Sequence, residues 1–184
     1  GVGGGRPGSV RRGTKANLQR SGADGGLSAA ETAKQADAAL QRRRTDYSDL
    51  YQCDRYDKNT ALEETMEALS ELVRSGKARY IGFSEWTADQ IREGVALSKQ
   101  LGFQLISSQP QYSMLWRAIE GEAVPTCEEV GVSRIVWSPT AQGRLPGKYL
   151  PGGPAPEGSR AARAHGGADS GEGVRDAGTR PPGP

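Results

Sequence analysis

The chain has 184 residues, among them 26 glycines and 11 prolines, and a net charge of +2. That length fits one domain, and because the glycines and prolines gather toward the two ends, the foldable part is shorter than the whole. So small a charge generates no long-range field, and the expected partners include neither nucleic acid nor a membrane surface.

The first helix is announced by Ser28 with Glu31 three residues on, the pattern of a capping box, and continues through Ala33, Ala36 and Leu40 to Arg42-Arg43-Arg44. Cations at a helix end are favoured by the helix dipole, so the arginine run reads as a helix terminus and not as a nucleic-acid patch. Tyr47 to Cys53 reads as a strand. Thr60 with Glu63 caps the next helix, where Leu62, Met66, Leu69 and Val73 recur at helical spacing up to Gly76. Tyr80 to Phe83 is a strand, and Thr87 with Gln90 opens a helix bearing Ile91 and Val95 that stops near Gly102. Leu105 to Ser108 is a further strand. The segment from Trp116 to Val130 is expected to be broken by Pro125 and closed by Gly131. Ile135, Val136 and Trp137 then form an apolar run, read as a buried strand, that ends at Ser138-Pro139. Beyond it, Gly143, Gly147 and Lys148 make a loop suited to an anion.

Alternating strands and helices require crossover connections, hence a parallel sheet covered by helices and an α/β class. Polar residues follow every strand: Gln52 and Asp54, Ser84 and Glu85, Ser108 and Gln109, Ser138. That distribution suits a barrel, which gathers functional groups at many strand ends. An open dinucleotide-binding sheet concentrates its glycines after the first strand, and no Gly-x-Gly-x-x-Gly joins a strand to a helix here. The expected fold is an incomplete (β/α)₈ barrel over residues 10–150, between a disordered Gly-rich start at 1–9 and a disordered tail at 151–184. The tail holds Val174 as its only sizeable aliphatic residue after Leu150. Cys53 and Cys127 match neither a metal-ligand nor a disulfide spacing and are expected to be reduced and buried. The only histidine, His165, falls in the tail, so no zinc site or histidine triad is expected in the folded part. No apolar run spans a bilayer and the start lacks a signal-peptide core, which makes the expected location cytoplasmic.

The segments Thr45-Asp-Tyr-Ser-Asp-Leu-Tyr-Gln52, Asn59-Thr-Ala-Leu-Glu-Glu-Thr-Met66, Gly76-Lys-Ala-Arg-Tyr-Ile-Gly-Phe-Ser84, Ser108-Gln-Pro-Gln-Tyr112, Trp137-Ser-Pro and Gly147-Lys-Tyr149 closely resemble the aldo-keto reductase family. The resemblance is nearest the branch with the potassium-channel β-subunits and their bacterial relatives, and runs from Thr14 to Arg160. It implies a (β/α)₈ barrel that binds NADP(H) and moves a hydride between nicotinamide and a small aldehyde or ketone. It further implies that Ser84 and Gln109 meet the nicotinamide carboxamide and that Trp137 stacks on the ring. Ser138, Pro139 and Gln142, with Lys148, would follow the pyrophosphate, and Arg160 would make a further cofactor contact. The channel-associated branch adds the alternative of a cofactor-binding or partner-docking module without turnover, acting with a partner protein or as an oligomer.

The catalytic implication is narrower. Family chemistry uses a Tyr proton donor, a Lys that lowers its pKa, an Asp that orients the Lys and a His at the carbonyl oxygen. Gly13-Thr-Lys15 resembles the strand bearing the Lys, but the fourteen residues before Lys15 include no Asp or Tyr, and all six tyrosines follow it. Asp54 stands where the family has His, or Asn in the channel branch. An ionised Asp54 would repel the charge developing on the carbonyl oxygen, and only its protonated form could donate in its place. A full barrel needs roughly 250 residues, so the chain is expected to be a truncated or frame-disrupted product. A third reading is unrelated barrel chemistry with Asp54 and Glu85 as an acid and base pair.

Overall fold

A computed structural model describes residues 26–149, 154–159 and 162, with the backbone of Gly13–Lys15. The Gly-rich start, most of the 151–184 tail, Arg160 and His165 lie outside the described residues. Among those described, the strands and α-helices run β1 (Gly13–Lys15), α1 (Ala29–Arg43), β2 (Ser48–Gln52), α2 (Leu62–Arg74), β3 (Ala78–Phe83), α3 (Ala88–Gln100), β4 (Leu105–Ser108), α4 (Ala123–Val130) and β5 (Ser133–Arg134). The described residues fall into two compact units. One comprises those up to Pro110 with Glu122–Ile135; the other comprises Gln111–Gly121 with those from Val136 on. The sheet and the four helices belong to the first.

All strand pairs are parallel, and the sheet order is β1-β2-β3-β4-β5, the order of the chain itself. Consecutive helices α1 to α4 pack on one another in sequence, which places them in one layer on one face. A doubly wound sheet reverses its strand order and splits its helices between two faces. Sequential order with one outer helix layer is instead the pattern of part of a (β/α)₈ barrel.

The core lies between that layer and the sheet. Strand side chains alternate between faces: the Tyr51 hydroxyl reaches the Thr32 carbonyl of α1 at 3.5 Å, so Tyr51 faces the helices and Gln52 the other side. Ile81 and Phe83 are fully buried, together with Met66 and Leu69 of α2 and Ile91 of α3. Each such side chain stabilises the fold by about 1.5–3 kcal/mol relative to exposure. Burial, then charge repulsion from Cys53 and Glu31, holds the Tyr51 hydroxyl far above the ordinary tyrosine range.

Helix entry follows the sequence signals in two of three cases. Thr87 accepts from the Gln90 N–H while the Gln90 side chain accepts from the Thr87 N–H, a complete capping box. Ser28 accepts from the Glu31 N–H at 3.4 Å. Thr60 does not cap α2: its hydroxyl donates to Asp57 Oδ2 at 2.7 Å, and Ala61 occupies the cap position without a side-chain bond. The hydroxyl proton goes to the charged carboxylate, a strong acceptor, and the cap position falls one residue later, at Ala61.

Three other expectations need correction. In α1 the buried face is Thr32, Ala36, Ala39 and Leu40, and Ala33 is exposed. Pro125 does not break its segment, because it lies in the first turn of α4, where its missing N–H leaves no helical bond unmade. The last strand is Ser133–Arg134, not Ile135 to Trp137, and Ile135 is 45 % exposed. An apolar run marks a buried strand only where a neighbour covers it, and β5 pairs with β4 alone among the described strands.

Gly94 of α3 lies under the Trp86 ring: a Cβ there would sit 2.6 Å from Trp86 Cζ3. The ring is held by stacking on Phe83 at 4.7 Å and by an edge contact with Tyr56 at 5.7 Å. Gly94→Ala should gain about 0.5–1 kcal/mol of helix propensity but lose about 1–3 kcal/mol to overpacking against a pinned ring. The expected net result is a lower urea midpoint; a raised midpoint would show that Trp86 gives way.

Candidate functional site

The parallel ladder continues past the ends of the strands. The Cys53 N–H donates to the Gly82 carbonyl at 2.9 Å, Ser84 to Asp54 at 3.2 Å, Gln109 to Phe83 at 2.7 Å and Ile135 to Ser108 at 2.9 Å. These bonds gather Asp54, Ser84 and Gln109 at the carboxyl ends of β2, β3 and β4. The backbone of Lys15 ends β1 directly beside Gln52, on the same edge of the sheet. Asp54 and Gln109 are half-buried, whereas Ser84 is 0 % exposed. The Ser84 hydroxyl donates to the Gln109 carbonyl at 2.6 Å, so in this structure its proton serves to fix the Gln109 main chain. Glu85 is exposed and adopts φ 58°, the left-handed conformation that turns the chain from β3 into α3.

One layer deeper, on the face away from the helices, Gln52, Gly82 and Ser107 stand in register on β2, β3 and β4. The Gln52 amide and the Ser107 hydroxyl both lean over Gly82, into the space that a Cβ there would occupy. This is where the close approach needs a glycine. Both side chains are buried, and none of Gln52 Oε1, Gln52 Nε2 and Ser107 Oγ has a hydrogen-bond partner among the described residues. A buried polar group left unpaired costs about 1–3 kcal/mol. On the opposite face, Ser108 bonds Cys127, whose thiol is pushed up by burial against the opposing influence of that bond. Both cysteines are buried and neither forms a disulfide.

The loop carrying Asp54 is anchored by Asp57, which the sequence reading passed over. Asp57 accepts from the Leu27 N–H at 2.9 Å, the Asn59 N–H at 2.9 Å and the Thr60 hydroxyl, tying the start of α1 to the β2–α2 loop. The spacing Asp-x-Asn-Thr carried the signal, since a carboxylate followed by a donor two residues on forms an Asx turn. Desolvation works to raise the Asp57 pKa, but the bonds from Leu27, Thr60 and Asn59 outweigh it and the net shift is downward.

Trp137, Ser138, Pro139, Gln142 and Lys148 belong to the second unit. There the Tyr112 N–H donates to the Trp137 carbonyl at 3.3 Å, and Trp137 is half-buried. Ser138, Ala141 and Gln142 have φ of 54°, 49° and 58°, three non-glycine residues in the left-handed region at about 1–2 kcal/mol each. Gly143, at φ 95°, packs on the Lys148 stem: a Cβ there would lie 3.0 Å from Lys148 Cδ. Lys148 is exposed, with Nζ 5.9 Å from the Tyr149 ring centre. Nearby, Glu120 takes a two-pronged bond from Arg117 and a third from the Tyr112 hydroxyl at 2.6 Å. Among the described residues, no group of three or more His, Cys, Asp or Glu is placed to hold a metal, and no helix is long and apolar enough to cross a membrane.

Residues 9–174 match the aldo/keto reductase family. The chain is 38 % identical over 119 residues to L-glyceraldehyde 3-phosphate reductase of Escherichia coli strain K12, covering 64 % of this chain and 34 % of that protein. It is 40 % identical over 121 residues to aldo-keto reductase AFTS1 of Alternaria alternata, covering 65 % and 33 %. To a probable voltage-gated potassium channel subunit beta of Arabidopsis thaliana it is 38 % identical over 131 residues, covering 70 % and 40 %. The chain thus spans about a third of the length of the curated reductases it matches.

The lowered Asp57 pKa fixes the sign of a pH effect. A carboxylate stabilised in the fold contributes above its unfolded pKa, near 4, and loses that contribution as pH falls through the folded value. Stability of the parent should exceed that of Asp57→Ala by about 1–2 kcal/mol at pH 7. The gap should narrow below about pH 4, measured by urea unfolding at each pH. A gap that is constant down to pH 2 would refute the assignment.

Proposed function

The chain belongs to the aldo/keto reductase family, and we propose that it forms part of an NADP(H)-dependent oxidoreductase that moves a hydride between nicotinamide and a small aldehyde or ketone. The observation that carries this reading is the convergence of Asp54, Ser84 and Gln109 at adjacent strand ends, joined by the bonds from Ser84 to Asp54 and Gln109. When bound, the cofactor supplies the hydride. The protein's part is to bind, orient and polarise.

The residues present fit the cofactor in part. Gln109 keeps a half-buried side chain whose amide can both donate to and accept from a carboxamide. Ser84 acts through Gln109 by fixing its main chain, since its own burial closes it to direct contact in this structure. In the second unit, the left-handed residues Ser138, Ala141 and Gln142 shape a loop of the kind whose backbone N–H groups receive phosphate, with the exposed Lys148 at its end. Trp137 would supply the stacking face. Lys15 ends the neighbouring strand, and its proposed role is that of the family lysine.

Asp54 departs from the family and supports a second reading. A carboxylate at the carbonyl-binding position opposes the oxyanion that hydride transfer creates, which favours a cofactor-binding or partner-docking module without turnover. The potassium channel subunit beta among the relatives is in keeping with this. An acid and base pair of Asp54 and Glu85 has less support, because Glu85 is exposed.

Titration with NADPH should quench tryptophan fluorescence where NADH does not, and Trp137→Leu should weaken binding by roughly tenfold. Quenching absent from a folded sample would overturn the cofactor reading. On the enzyme reading, Asp54→His should raise carbonyl-dependent NADPH oxidation, on the order of 10²-fold for a restored oxyanion donor. Binding with no oxidation by either form would select the docking module.

A further inference from the structure

Tyr56 and Asp57 follow Asp54 closely in the β2–α2 loop and grip the loops on either side of it. On one side, Asp57 Oδ2 accepts from the Leu27 N–H at 2.9 Å. The approach is close, since a Cβ on Gly26 would lie 3.0 Å from the same oxygen. Leu27 is held from its other side as well: its carbonyl accepts from the Thr65 hydroxyl at 3.2 Å, and the Ala29 N–H donates to Glu64 Oε1 at 3.0 Å. On the other side of the loop, the half-buried Tyr56 ring makes its edge contact with Trp86, which stacks on Phe83. The β2–α2 loop is therefore joined to the end of the β1–α1 connection, which starts after Lys15, and to the β3–α3 loop, which starts at Ser84.

We propose that Tyr56 and Asp57 are positioning residues, a two-sided clamp that holds three successive loops as one body around Asp54, Ser84 and Gln109; the role rests on the reading of this mouth as the NADP(H) site. Neither residue has to touch the cofactor. Loops that become ordered only when a ligand arrives subtract their ordering cost from its affinity, whereas loops clamped beforehand do not. The two grips differ in kind. Asp57 fixes direction, because a carboxylate taking bonds from Leu27, Asn59 and Thr60 is held by charge-assisted geometry. Tyr56 fixes distance through ring packing. The bond that depends most on the clamp is the one from the Ser84 N–H to the Asp54 carbonyl, at 3.2 Å the longest of the four that extend the ladder past the strands. A comparable tie at the opposite end of the sheet, from the Ser70 hydroxyl of α2 to the Leu101 carbonyl at the end of α3, stabilises the fold without reaching the mouth.

The test uses the full chain with Asp57→Ala, Tyr56→Leu and the milder Asp57→Asn, against Ser70→Ala as a control for lost stability. Each is measured at the same interval below its own melting temperature. Without ligand, the Ser84 amide should exchange its hydrogen on the order of tenfold faster in Asp57→Ala and Tyr56→Leu than in Ser70→Ala. Asp57→Asn keeps one acceptor oxygen and should fall between. By titration calorimetry, the NADPH dissociation constant should rise roughly tenfold in the clamp variants and stay within about twofold of the parent in Ser70→Ala. Equal Ser84 exchange in clamp and control variants overturns the proposal. So does an NADPH affinity that the clamp variants leave unchanged, or that falls as far in the control. A parent that binds no NADPH, combined with faster Ser84 exchange in the clamp variants, refutes the cofactor reading and sustains the clamp, so the two failures are distinct.

Discussion

The arrangement rests on a parallel backbone ladder that does not stop where the strands do. In a parallel pair the bonds are evenly spaced and slanted, so each residue just beyond one strand can bond the neighbouring strand's end. The bonds from Cys53, Ser84, Gln109 and Ile135 do this in succession across four strands. Loop residues that would otherwise be placed by side-chain packing alone are thereby fixed by the main chain. The Ser84 hydroxyl adds a crosslink to Gln109, and Asp57 ties the Asp54 loop back to the start of α1.

That ladder leads from fold to chemistry. Sequential strand order keeps Asp54, Ser84 and Gln109 side by side, where an order reversal would separate them. The helix layer buries Ile81, Phe83, Met66 and Ile91 on one face, leaving the other face to carry polar residues close to the strand ends. Gly82 is where the two demands meet, since its lack of a side chain lets Gln52 and Ser107 close over β3. The departure at Asp54 therefore concerns chemistry and not architecture: its carbonyl accepts the Ser84 N–H whatever its side chain.

Much of this was legible in the residues. Helical spacing of Leu62, Met66 and Leu69, the Thr87 and Gln90 pair, and polar residues after each strand signalled alternating elements with a functional end. What the sequence did not disclose depends on contacts between distant segments. The Thr60 pattern looked like a cap because it does not reveal that the Leu27 N–H, from the start of α1, helps hold the Asp57 carboxylate that takes the Thr60 hydroxyl. The Ile135 to Trp137 run looked buried because apolarity reveals an inclination and not the presence of a covering neighbour. Gly82 looked like any glycine in a strand, and its role arises only when β2 and β4 take their places on either side.

Backbone-resolved hydrogen exchange with and without NADPH, on the full chain, tests the central claim that one strand-end mouth receives the cofactor. Protection should grow together at the amides of Cys53, Ser84 and Gln109, with Ser48, Ala78 and Leu105 at the opposite strand ends unchanged. Protection confined to those opposite ends, or spread evenly over the sheet, would contradict it.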